Sequence, residues 1–117
     1  MAYRSFEELD VWKRACQLAV QMLQDLRECR DFALRDQMQR AVVSIPSNIA
    51  EGAERGGKDF ARFLRMARGS AAELRTQSYI AAKVGAITNE QMTHYVTELK
   101  GISRMLTGLD HSLRTEN

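Results

Sequence analysis

The sequence predicts an all-α protein folded as an up-down-up-down four-helix bundle. One proline and seven glycines in 117 residues leave little punctuation for strands and tight turns. Helix-favouring Ala, Leu, Gln, Glu, Arg and Met dominate the rest. Apolar residues recur at three-and-four spacing in four successive stretches, the signature of amphipathic helices. The length fits one domain, residues 1–117. Apolar residues make up 44% of it, enough for a core but near the small end, where association between copies often adds stability.

The first predicted helix runs from Glu8 to Glu28. Val11, Trp12, Ala15, Leu18, Ala19, Met22, Leu23 and Leu26 share one side, and a polar turn through Asp31 follows. The second starts between Phe32 and Arg35, carries Leu34, Met38, Ala41, Val42, Ile45 and Ile49 inward, and fades across Gly52–Gly57. The third takes Asp59 as N-cap. Its apolar stripe is Phe60, Phe63, Leu64, Ala67, Ala71, Leu74, Ser78 and Ala81, and Gly85 is its stop. The fourth opens on Thr88 with Gln91 three residues on, the capping-box spacing. There Met92, Tyr95, Leu99, Ile102, Leu106, Leu109 and Leu113 keep a heptad rhythm. Short connections between such helices make antiparallel neighbours.

The single proline, Pro46, stands inside the second helix. It lacks an N–H, and its ring presses on the carbonyl of Val42, so the helix must bend or break. The core stripe stays in phase across it, which predicts one kinked helix. Ser47 and Asn48 read as local hydrogen-bonders to the backbone around the kink. Val43, Pro46 and Ala50 lie together at helical spacing, opposite the core stripe. An apolar second face on a surface helix predicts an oligomer interface at these three residues.

"QMQRAVVSIPSNIAEG" followed by "FARFLRMARGSAAELRTQ" resembles the bacterial four-helix-bundle family of proteins encoded in intervening sequences of 23S ribosomal RNA genes. The opening "FEELDVWKRA" is similar to that family's start, so the likeness spans nearly the whole chain. Relatives include the accessory protein of diversity-generating retroelements. The resemblance implies an antiparallel bundle assembled as a ring of five subunits. It also implies nucleic acid and a reverse transcriptase or other protein as partners, met through a basic surface. The chain departs from the family pattern at Gln39, where relatives carry a second basic residue beside Arg40. It departs again at Arg35, where threonine is common, and at Arg75, where an acidic residue is common.

The formal net charge is only +2, so a nucleic-acid partner requires the basic residues to cluster. They do. Arg55, Lys58, Arg62, Arg65 and Arg68 face the one acidic residue Asp59 within their stretch. Lys58, Arg62 and Arg65 share a helix face, with Arg68 and Arg75 drifting to its flank. A row of cations suits a phosphate backbone, whose binding is driven by counterion release. No aromatic residues interleave the row, so base stacking has little support.

Catalytic readings fare poorly. Neither His94 nor His111 has a glutamate three residues before it, as a di-iron bundle requires. Two histidines and two distant cysteines have no metal-ligand spacing, and Cys16 and Cys29, about 20 Å apart along a helix, cannot pair. Gly56-Gly57-Lys58 lacks the rest of a phosphate-loop pattern. Neither an export signal nor a membrane span is evident. The expectation is a cytoplasmic, non-enzymatic homo-oligomer without cofactor or metal, touching RNA or DNA through its third helix and no membrane. The competing expectation is a protein-binding scaffold that touches no nucleic acid.

Overall fold

The computed structural model describes residues 5–115. A 3₁₀ turn at Phe6–Glu8 leads into α1 (Asp10–Asp25), which tightens into a second 3₁₀ turn at Leu26–Glu28. Then come α2 (Phe32–Arg55), α3 (Gly57–Lys83) and α4 (Asn89–Thr115), with no strand among the described residues. The first helix is thus shorter than its apolar pattern. Leu9 is extended (φ −74°, ψ 123°) and separates α1 from the turn before it. No helix is long and apolar enough to cross a membrane among the described residues.

Local chemistry explains the boundaries. The Asp31 carboxylate accepts from the Leu34 N–H at 3.1 Å and caps α2. The Thr88–Gln91 box closes reciprocally: Thr88 N–H donates to Gln91 Oε1 at 2.9 Å, and Gln91 N–H to Thr88 Oγ1 at 3.0 Å. Asp59 is not the cap of α3. Gly56, at φ 70°, turns the chain directly from α2 into α3 and occupies that position. Left-handed φ is open to glycine, so two long helices meet at a single residue. Asp59 falls in the first turn instead, where the helix dipole favours a carboxylate.

The helices pack in ring order, each against its neighbours in sequence and α1 against α4. Arg14, Gln21 and Asp25 of α1 meet Glu98, His94 and Tyr95 of α4. Arg65 and Arg68 of α3 meet Asp110 and Thr107 of α4. Both sets of pairs run in opposite chain directions, giving a rod of 47 × 19 × 18 Å. Met22, Met38, Ile45, Leu64, Leu74, Leu99 and Leu106 are shut away along its axis.

Helix α2 is continuous through Pro46. Ser44 Oγ donates to the Ala41 carbonyl at 2.7 Å and Ser47 Oγ to the Val43 carbonyl at 2.9 Å, so both hydroxyls turn back onto the helix. The Asn48 side chain has no such partner among the described residues. Pro46 itself is buried, so it does not belong to an outer face with Val43 and Ala50. The wheel underestimated the buried arc because α2 packs against α1, α3 and the first 3₁₀ turn together. Val43 is 43% exposed and Ala50 half-buried.

Two of the polar ties between α1 and α4 involve a carboxylate. The Tyr95 hydroxyl, wholly buried, donates to Asp25 Oδ2 at 2.6 Å. Burial and then that bond hold the phenol above its ordinary range, so it stays a donor. Arg14 gives a forked pair to Glu98, 3.0 and 3.2 Å, and lies over Gly101. A Cβ at Gly101 would fall 2.4 Å from the guanidinium, so glycine makes the room. The Arg14 hydrogen bond, aided by the charges of Arg14 and His94, holds the Glu98 carboxyl below its usual range. A depressed folded pKa gives stability that is full above the ordinary glutamate value, about 4.3, and lost as pH falls through the lower folded value. Glu98→Gln is therefore expected to lessen the loss of melting temperature on acidification, with little change at neutral pH, where a half-exposed pair is worth under about 1 kcal/mol. Thermal melts of both proteins across the acid range check this.

Candidate nucleic-acid interface

The five basic residues singled out in the sequence occupy one end of the rod, but they form two groups. Arg55 and Arg62 are held at the α2–α3 corner. Arg55 pairs with Glu51 at 2.9 Å and with Asp59 at 3.6 Å, and Arg62 pairs with Asp59 at 3.3 Å. Their guanidinium carbons also lie 5.2 and 4.8 Å from the Phe63 ring centroid. Two carboxylates and a ring face thus order these cations and offset much of their charge. Lys58, exposed on the same turn, has no carboxylate within ion-pair distance among the described residues.

Arg65 and Arg68 belong to a second group that α4 completes. Asp110 of α4 is buried at 4% exposure, and a buried carboxylate is costly without cations and donors around it. Arg114 supplies two contacts of 3.3 Å, and Arg65, the second cation, a third contact at 3.7 Å. Arg68 donates to the Thr107 hydroxyl at 3.0 Å. Arg68, Thr107, Asp110, His111 and Arg114 line a groove of about 310 Å³ between the two helices. Arg75, two turns further along α3 from Arg68, is half-buried.

Sequence reasoning missed Asp110, Arg114, His111 and Thr107. One signal was available: Asp110 follows Leu106 and Leu109 at the edge of the apolar stripe, with Arg114 one turn on. A carboxylate in that position demands a cation. The pairing to Arg65 spans two helices and has no local signal.

The apolar surface has its own geometry. Leu23 of α1 and Val43 of α2, with Asp36, Gln39, Arg40 and Ser44, line an open groove of about 560 Å³. Val20 is exposed on the adjoining face of α1. Helix α3 changes character along its length: beyond its basic first half it exposes Tyr79 and Ile80, followed by Val84 at its end. Cys16 and Cys29 are free thiols, and burial pushes Cys16 above its ordinary range, away from the reactive thiolate. No cluster of metal-ligating side chains occurs among the described residues.

The fold defines a small all-helical bundle protein with an arginine-lined groove between α3 and α4. Residues 7–108 match the model of the 23S rRNA-intervening sequence protein family, and the chain belongs to that family. A crystal structure of a protein of unknown function from the S23 ribosomal protein family of Bacteroides thetaiotaomicron is similar in fold. It is 23% identical, with a TM-score of 0.81 over 86% of this chain and 95% of that one. No curated protein matches the chain.

Proposed function

We propose that this protein is a non-catalytic, homo-oligomeric accessory factor that binds the backbone of RNA or DNA through the basic pole of α3. The observation that carries the reading is a groove lined by Arg68 and Arg114 whose one carboxylate among the described residues, Asp110, is buried and also paired with Arg65 beside it. Lys58, without an ion-pair partner among the described residues, extends the positive surface from that groove towards the α2–α3 corner, where Arg62 adds the charge that Asp59 leaves unoffset. Assembly would repeat the surface, and multivalency turns weak backbone contacts into useful avidity. The five-fold ring and the reverse-transcriptase partner are what the family resemblance implies. A closed ring needs two unlike patches that meet. The Leu23–Val43 groove and the exposed apolar end of α3 are two such patches on different sides of the rod.

Converting Lys58 and Arg62 together to glutamate is expected to lower affinity for unrelated RNA sequences by at least about tenfold at low salt, and to flatten the salt dependence. Both side chains are exposed and the Arg62–Asp59 pair is a surface pair worth under about 1 kcal/mol, so the melting temperature should fall only a few degrees. Fluorescence anisotropy over a salt series measures the effect. A parent that binds neither RNA nor DNA at low salt would shift the reading to a scaffold that binds only protein.

A further inference from the structure

We propose that the α3–α4 groove is a phosphate subsite, in which Arg68, Arg114, the Thr107 hydroxyl and the His111 ring hold one phosphate group of a nucleic-acid strand. The proposal rests on the nucleic-acid reading above and names the point of contact. Two guanidinium groups, Arg68 and Arg114, line the groove with one carboxylate, and a third, Arg65, pairs with that carboxylate from beside it. Asp110 meets Arg114 at 3.3 Å and Arg65 at 3.7 Å, and no second carboxylate pairs with any of the three arginines among the described residues. Arg68 has only a neutral partner, Thr107. Among the described residues, Arg65, Arg68 and Arg114 against Asp110 leave an excess of two positive charges in and beside the groove. At the α2–α3 corner, by contrast, Glu51 and Asp59 hold Arg55 and Arg62.

The donors are held in place as well as charged. A guanidinium has five N–H donors; Arg114 spends two on Asp110 and Arg68 one on Thr107, leaving the others for a ligand. Asp110 acts through Arg114 as a positioning residue: its carboxylate fixes the fork, so less side-chain entropy is lost when an anion binds. The donors rise from two walls, Arg68 on α3 and Thr107, His111 and Arg114 on α4. A tetrahedral phosphate presents oxygens to both walls at once. A planar carboxylate presents two on one edge, which a single arginine fork satisfies. The groove, about 310 Å³, has room for a phosphate and part of its sugar.

The test uses the full chain, a short labelled single-stranded RNA and, separately, inorganic phosphate. Arg114→Gln and Arg68→Gln are each expected to weaken RNA binding about five- to tenfold at low salt and to reduce the salt slope by about 0.7. Arg30→Gln, the same charge change in the exposed turn between α1 and α2, should leave affinity within twofold (about RT ln 2). Asp110→Asn should weaken binding although it removes a negative charge, and Asp110→Glu should restore part of it; a merely repulsive carboxylate would give the opposite sign. Circular dichroism melts confirm that each variant folds, and should Asp110→Asn not fold, the two arginine variants decide alone. Inorganic phosphate should shift the amide resonances of Thr107 and His111 before those of the α2–α3 corner. If the parent binds RNA and the arginine variants match Arg30→Gln, the groove is overturned while the broader reading stands. If RNA fails to bind but phosphate shifts those resonances, the groove stands and the nucleic-acid reading falls. If neither RNA nor phosphate registers, both fall.

Discussion

Replacing Gly52 with alanine is expected to destabilise the bundle by about 2 kcal/mol, a drop of about 10 °C in melting temperature for a chain of this size. Gly52 is buried on α2 where that helix crosses the start of α3. A Cβ there would stand 2.6 Å from the Phe63 Cβ and 3.3 Å from the Phe60 carbonyl oxygen. Neither atom is the loose end of a side chain, so the two helices must part. Alanine is the better helix former by about 1 kcal/mol, and overpacking of about 3 kcal/mol exceeds that gain. Gly69 on α3 provides the opposite sign. Nothing lies within 4 Å of a Cβ there, so Gly69→Ala should raise stability by about 0.5–1 kcal/mol. Thermal and denaturant melts of the two variants check both signs. Equal stability of Gly52→Ala and the parent would refute the close approach of α2 to α3.

Val43→Glu is expected to break the proposed assembly into smaller species while leaving the subunit helical. Val43 is exposed beside Leu23 in the α1–α2 groove, so within one subunit the substitution costs little. In a contact between copies it would bury an unpaired carboxylate. That costs about 3 kcal/mol per contact, more than a hundredfold in its equilibrium constant. In a ring the penalty recurs at every contact. Light scattering and circular dichroism on the same samples separate dissociation from unfolding. A monomeric parent, or an undiminished assembly in the variant, contradicts the interface.

Much of this architecture could be read before any coordinates. Period-3.6 apolar residues located four helices, because a helix buries a stripe whatever its partner. The Thr88–Gln91 box was legible because both halves lie three residues apart. Continuity through Pro46 was legible from the unbroken phase of Val42, Ile45 and Ile49. Features set between helices were not. Asp59 is a competent cap by residue type, yet Gly56 turned the chain three residues earlier. Pro46 was placed outside because a wheel knows one core direction, whereas α2 has three packing partners. The basic row was visible as five positive residues, but which of them carry unspent charge depended on Glu51, Asp59 and Asp110. Only Asp59 lies within that row.

The joint at Gly56 gives the rod two unlike ends. At one, α2 and α3 are joined through a single residue, and the register between them is locked: an inserted residue would have to be absorbed by a helix. At the other, the segments Leu26–Asp31 and Val84–Thr88 connect their helices through several residues, of which Leu26, Cys29 and Ile87 are anchored in the core. Length variation and grafted loops between helices are therefore confined to the end remote from the α3–α4 groove. The pole proposed to meet phosphate is the one whose helix connection has no slack, and a probe spliced into Val84–Thr88 would report from the opposite end of the rod.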